Sequence, residues 1–302
     1  MARRGAAGAL PGSGPLRPRL KPGMKKKVVS KKESGQRWPA DQPEASLVWG
    51  IHPVTELLRR RPGLVRELYL AGGRDDGRVA AIVELAASHR IPLDRAGLPP
   101  AAAELPHQGV AARVAPPSPL SLAELLQRLP ALGPEPASSP AASPPPLLLV
   151  LDSLQDPHNL GAVLRSAAAF GVDGVILPKD RSAPLSGTVL KAAAGTAALL
   201  DICRTTNLAG ALGTLKKHGF WIYGASGEAS GNLYETDFTG PTCLVLGNEQ
   251  KGIRPLLKKH CDFLLAIPLA AGVESLNVSV AAGIMLVEIR RRQHFFAPGE
   301  PA

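Results

Sequence analysis

Metal-binding cysteine patterns are missing from this chain of 302 residues. Its three cysteines, Cys203, Cys243 and Cys261, stand far apart, and neither CxxC nor HExxH occurs. That excludes a disulfide framework and a thiolate zinc site, and it fits a reducing compartment. No apolar run reaches transmembrane length and no secretory h-region is recognisable, so the expectation is a soluble, cytoplasmic protein without a membrane partner. Aromatic residues make up only 4% of the chain. GxGxxG is absent after the first apolar strand of the second half, which argues against a dinucleotide enzyme.

Charge is unevenly spread. The formal net charge is +10, yet residues 1–40 hold eleven Lys/Arg against the single acid Glu33, leaving 24 basic and 24 acidic residues for the rest. The basicity is therefore a tail, rich in Pro, Gly and Lys, that reads as disordered and able to bind phosphates in a salt-dependent way. The same tail fits a solvated extension, or an upstream start-codon choice with the working start at Met24. It fits an organelle transit peptide less well, because no amphipathic helix is evident.

With 45% hydrophobic residues, the chain can bury a sizeable core. Residues 47–115 read as a small α/β unit, whose helix in "HPVTELLRRRP" presents Val54, Leu57 and Leu58 on one face. Residues 116–146 are dense in Pro and Ser and read as a linker, with "LSLAELLQRL" its one helical stretch. From Leu147 onward, apolar strands alternate with helices, the pattern of a parallel sheet covered on both faces. Ligands bind such sheets beyond the carboxyl ends of the strands.

Three strand ends carry polar clusters. In "LDSLQDPHNLGAVLRSA", Asn159 reads as a helix N-cap, Gly161 as a point of close backbone approach, and Arg165 as a guanidinium on a small, apolar helix. In "LVLGNEQKGI", a buried strand delivers Gly247, Asn248 and Glu249 to its tip. In "IPLAAGVESLNVSVAAGI", Ser275 reads as the N-cap of the last helix and Asn277 as part of its first turn. Taken singly, a plain cap, a surface arginine and an ordinary loop explain most of these residues.

In this order and spacing, the three stretches closely resemble the motifs of the SpoU/TrmH family of RNA ribose 2′-O-methyltransferases, over about residues 47–296. "WGIHPVTELL", "HQGVAARV" and "LPKDRSAPL" resemble the branch that methylates a guanosine ribose of 23S ribosomal RNA. The resemblance implies an α/β fold whose parallel sheet ends in a C-terminal trefoil knot, preceded by a small N-terminal α/β RNA-binding domain. It implies S-adenosyl-L-methionine as cofactor, large-subunit ribosomal RNA as partner, and a homodimer formed through the knotted domain, with no metal. Carried over by position, catalytic residues fall on Asn159, Arg165, Glu249 and Asn277, with Asn159 and Glu249 orienting Arg165. Cofactor contacts fall on Gly247, Ile267, Ser275 and Leu276. One departure is Gln250, where many relatives have glycine. The competing readings are a non-catalytic ribosome-assembly protein on the same fold and a tRNA 2′-O-methyltransferase of the same family. Four basic clusters (Arg59–Arg61, Lys216-Lys217, Lys258-Lys259 and Arg290–Arg292) read by themselves as solvated helix faces.

Overall fold

The computed structural model describes residues 46–71, 77–102, 107–115, 118–129 and 144–293. The basic tail, the Pro-rich stretch 130–143 and the end of the chain after Gln293 lie outside them. The front domain is a four-stranded mixed sheet of β1 (Ser46–Trp49), β2 (Val65–Leu70), β3 (Leu93–Asp94) and β4 (Val110–Val114), in the order β1-β4-β2-β3. Helix α1 (Ile51–Arg60) buries Val54, Leu57 and Leu58, and α2 (Gly77–Ser88) buries Val79, Ile82 and Ala86 in the same core. Each fully buried Leu contributes roughly 1.5–3 kcal/mol.

The second domain is built on seven strands. They are β5 (Leu147–Leu151), β6 (Gly174–Pro178), β7 (Ile202–Thr205), β8 (Trp221–Ala225), β9 (Gly231–Asn232), β10 (Thr242–Leu246) and β11 (Phe263–Ala266). Their order is β7-β6-β5-β10-β8-β11-β9, and every pairing is parallel. All carboxyl ends therefore emerge along one edge. In β5 successive residues serve opposite faces. Leu147, Leu149 and Leu151 pack toward α4 (Pro157–Ala169), α5 (Gly187–Ala192) and α8 (Val278–Arg292). Leu148 and Val150 pack toward α6 (Leu208–Lys217) and α7 (Pro255–Lys258). A strand buried on both sides needs no polar positions, which is why it reads as an unbroken apolar run.

Several expectations change. The short strands β3 and β9 and the edge strand β7 have no clear sequence signature, since only Ile202 and Cys203 of β7 are buried. Part of the segment read as linker is built into the second domain. Leu120 bridges Cys203, and α3 (Leu122–Arg128), closed by a Ser121/Glu124 capping box, inserts Leu125 against Leu148, Val150 and Ile176. Asn159 is not the cap of α4. Asp156 is, accepting from the His158 N–H at 2.9 Å, because Pro157 occupies the first helical position, where its missing donor costs nothing. Nor does Ser275 cap the last helix. Asn277 does, accepting from the Ser279 N–H at 2.8 Å, and Ser275 lies exposed in the preceding loop.

The two domains meet along residues 195–201. Gly195, at φ +77°, lets Val48 and the Leu47 carbonyl approach, and Ala198 joins the front-domain core. Asp201 Oδ1 binds Arg61 of the front domain at 3.0 Å and Arg128 of α3 at 2.8 Å, while Arg61 also donates to the Leu200 carbonyl at 2.9 Å.

Candidate functional site

At the carboxyl edge, the loops after β5, β10 and β11 are tied together. Asp152, fully buried at the end of β5, accepts from the Arg254 backbone N–H at 2.9 Å and from Arg254 Nε at 2.7 Å. Ser153 follows in the left-handed region at φ +66°, and its carbonyl accepts from Asn248 Nδ2 at 3.0 Å. Asn248 Oδ1 accepts from the N–H groups of Gln250 and Lys251 at 3.0 and 3.3 Å, so the turn closes with glutamine at position 250. Gly247 is buried where a Cβ would overlap the backbone of Gly252 and Ile253. This tip tolerates no side chain.

Onto this frame the chain brings Asn159, Glu249 and Asn277. Asn277 Oδ1 takes both the N–H and the hydroxyl of Ser279, at 2.8 and 2.6 Å. That fixes its amide, and Nδ2 donates to Asn159 Oδ1 at 3.0 Å. With its oxygen occupied, Asn159 turns Nδ2 to Glu249 Oε1, also at 3.0 Å. The result is a one-way relay that ends on a carboxylate, a group with acceptors only. Glu249 and Asn277 are exposed and Asn159 half-buried, so the relay faces solvent.

Arg165 does not join it. The residue lies six positions beyond Asn159 on α4, about 9 Å along the axis and on another side of the helix. It is exposed and makes no ion pair or hydrogen bond among the described residues. It lines a cleft of 1290 Å³ between the domains, together with His52 and Arg60 of α1, Arg61, Arg128 and Asp201. The expectation that Asn159 and Glu249 orient Arg165 is not met within one chain.

Of the four residues marked for the cofactor, Gly247 stands just past β10, and Ile267, Ser275 and Leu276 lie in the segment between β11 and α8. Ile267 and Leu276 are half-buried at either end of an irregular segment. Between them, the N–H groups of 269–272 and 274–276 donate to no other group among the described residues. Free backbone donors and carbonyls between two apolar side chains suit an adenosine, whose purine ring is flat and apolar with polar edges. The residues present thus fit S-adenosylmethionine. Asp152, Ser153 and Arg254 fall in no motif that marks them as organisers, and the one available signal is an acid directly after the all-apolar "LLLVL".

Among the described residues, no group of three His, Cys, Asp or Glu could hold a metal ion, and no helix is long and apolar enough to cross a membrane. The profile of the SpoU rRNA Methylase family matches residues 146–287, and that for RNA 2′-O ribose methyltransferase substrate binding matches residues 47–120. The chain is 48% identical over 252 residues to the 23S rRNA (guanosine-2′-O-)-methyltransferase RlmB of Pseudomonas aeruginosa, covering 82% of this chain and 96% of that protein. It is 40% identical to the Escherichia coli K12 protein of the same name, covering 82% and 99%. Among solved structures, the SpoU methyltransferase AviRb from Streptomyces viridochromogenes, in complex with AdoMet, superposes with a TM-score of 0.60 at 23% identity, over 82% of this chain and 90% of that one. An AdoMet-bound rRNA methyltransferase from Sinorhizobium meliloti gives 0.58 at 22%, over 82% and 87%. At those identities the likeness concerns the fold. The extent and identity of the sequence matches decide membership: the chain belongs to the SpoU rRNA methylase family.

Proposed function

We propose that this protein transfers a methyl group from S-adenosyl-L-methionine to the ribose 2′-hydroxyl of a guanosine in 23S ribosomal RNA. The observation that carries this reading is the relay from Asn277 through Asn159 to Glu249, which ties the tips of three motifs into one hydrogen-bonded unit. The substrate assignment follows the RlmB relatives and the match of the front domain to an RNA substrate-binding family.

Bound S-adenosylmethionine supplies an electrophilic methyl group on a sulfonium. The chain's own task is to hold a ribose oxygen in line with it and to stabilise the charge that oxygen develops. Gly247, Ile267, Ser275 and Leu276 are the residues that would hold the cofactor. Glu249 and Asn159 present acceptor and donor groups for the ribose and for the loop around it. A guanidinium offers hydrogen-bond donors and no acceptor, so the role given to Arg165 is charge stabilisation and not proton removal. A free guanidinium on the cleft wall suits a phosphate beside the target ribose, and the hydroxyl proton leaves to that phosphate or to solvent.

The finer architecture follows the same reading. The C-terminal segment is threaded as a trefoil knot, consistent with loops far apart in sequence being cross-linked at one edge. The active form is a homodimer. Val280 and Val287 on α8 are 50% and 39% exposed, with the half-buried Ile284 between them, an apolar stripe one copy leaves uncovered. The cytoplasm is where ribosomal RNA would be met.

The test is transfer of labelled methyl from S-adenosylmethionine to a 23S rRNA transcript, followed by mapping of 2′-O-methyl positions. A single guanosine modified by the wild type, and not by Asn277→Ala, is expected. Methylation of tRNA alone, or cofactor binding without transfer to any RNA, overturns the assignment.

A further inference from the structure

Two hexapeptides share one pattern. Lys216-Lys217-His218-Gly219-Phe220-Trp221 and Lys258-Lys259-His260-Cys261-Asp262-Phe263 both read Lys-Lys-His, two residues, aromatic. Each starts at the end of a helix, α6 or α7, and finishes on the first residue of a strand, β8 or β11. Those strands are parallel neighbours, so two basic helix ends and two aromatic strand starts meet at the amino edge of the sheet, opposite the relay. Lys216 Nζ joins the hexapeptides by binding Asp262 Oδ1 at 2.6 Å, and Asp262 Oδ2 accepts from the Ile222 N–H at 2.9 Å. With the only carboxylate of the two segments so engaged, Lys217, Lys258 and Lys259 have no acidic partner among the described residues.

In a chain poor in aromatics, Trp221 and Phe263 are nonetheless 51% and 46% exposed. Their ring centroids lie 5.8 Å apart, tilted by 45°. Phe263 is backed by Tyr223, near-parallel at 5.3 Å, and Tyr223 packs on the buried Phe238 at 4.9 Å. The platform is therefore held rigidly from beneath while its outer face meets water. Rigid aromatic faces flanked by unpaired lysines are how proteins hold single-stranded nucleic acid, by base stacking and phosphate contact.

We propose that this edge is a second RNA-binding surface, on which a single-stranded segment of the substrate stacks a base against Trp221 and Phe263 while Lys217 and Lys259 hold its phosphates. The inference rests on the reading of the chain as an RNA methyltransferase, and it adds an anchor on the edge away from the methyl-transfer site.

The full chain carrying Trp38→Phe and Trp49→Phe leaves Trp221 as the sole indole. Titration with a ten-nucleotide single-stranded RNA should quench its emission, and the titration should saturate. In the otherwise natural chain, Trp221→Ala/Phe263→Ala should weaken binding of that RNA about tenfold or more. KM for the rRNA transcript should rise, with kcat and cofactor affinity unchanged. Lys217→Glu/Lys259→Glu, which leaves the aromatic packing intact, should lower the salt dependence of RNA binding by about two units of slope. Unchanged affinity and KM in both variants overturn the proposal, even where methyl transfer by the wild type upholds the enzymatic reading. Loss of transfer in the wild type with Trp221-dependent quenching intact does the reverse. Trp221 shielded from acrylamide in the free protein, or a change of oligomeric state in the aromatic variant, also overturns it, because another part of this chain or a second copy then covers the platform.

Discussion

Asn159 and Asn277 stand 118 positions apart in the chain and share a hydrogen bond of 3.0 Å. The bond links the first turn of α4 to the cap of α8. Asn277 thereby serves two ends, helix stability and the orientation of the relay, and the two can be separated. Asn277→Ala removes both and should cost about 1 kcal/mol of stability together with most of the methyl transfer. Asn277→Asp keeps the cap for Ser279 but cannot donate to Asn159. Its thermal midpoint should stay within a few degrees of wild type while single-turnover transfer falls at least tenfold. Equal turnover in Asn277→Asp would mean that the relay is structural only.

Arg165→Ala should abolish methyl transfer while calorimetry finds S-adenosylmethionine binding nearly unchanged, because Arg165 lines the cleft between the domains, whose lining includes none of Gly247, Ile267, Ser275 and Leu276. Arg165→Lys keeps the charge and loses the two-pronged donor, so an intermediate rate that responds to salt is expected. Near-normal turnover in Arg165→Ala would remove Arg165 from the mechanism.

Gly247→Ala tests the loop after β10. The added methyl collides with the Gly252–Ile253 backbone rather than with a movable side chain, so the loop must open. Weaker cofactor binding by tenfold or more and a stability loss of about 1–3 kcal/mol should appear together. A variant that binds the cofactor normally would show that Gly247 is not part of the pocket wall.

Asp201→Ala addresses the domain junction. Removing the carboxylate strands Arg61 and Arg128 side by side. The cost should be on the order of 2 kcal/mol, below that of a fully buried pair because Arg128 is 54% exposed. Small-angle scattering should report a looser front domain, and KM for RNA should rise while cofactor affinity holds. An unchanged scattering profile would mean that the Arg61–Leu200 hydrogen bond and the packing at Gly195 and Ala198 hold the domains together without Asp201.

Alkaline stability follows from the cysteines. Burial pushes the thiols of Cys203 and Cys261 up to about 11, and that of Cys243 further still. An unfolded thiol has the ordinary value of 9.0, so above that pH the unfolded chain releases protons that the folded one retains. The thiols' contribution to stability should be constant below pH 9 and decline as pH rises toward 11, read as a urea midpoint that falls over that alkaline window. Cys243→Ala should flatten part of that decline; an unaltered profile would assign the alkaline loss to other groups.

What could be read ahead of the structure was whatever depended on local pattern. The unbroken apolar runs of β5 and β10 announced a sheet buried on both faces, and Gly161 announced a close approach: a Cβ there would sit 2.7 Å from the Val189 carbonyl. What could not be read depended on competition between neighbours or on distant docking. "DPHN" offers two capping side chains, and Pro157 decides for Asp156. "ESLN" offers two more, and the donor that needs a partner, Ser279 N–H, lies within reach of Asn277. Arg165 was legible as unusual, but the wall it lines is made by the front domain, which no helix periodicity reveals. The same holds for the amino-edge platform, because its two hexapeptides become neighbours only when β8 and β11 pair.

Arg290 reaches from the last turn of α8 to the carbonyls of Pro145, Phe170 and Gly171, to Asp173 and to Gln293, with its side chain 2% exposed. A helix pinned at its far end to the start of β5 and to the α4–β6 turn cannot swing aside by itself. Asn277, at its near end, therefore reports on the whole domain. Catalytic competence and cooperative folding should be lost at the same denaturant concentration, with no inactive but still folded form in between.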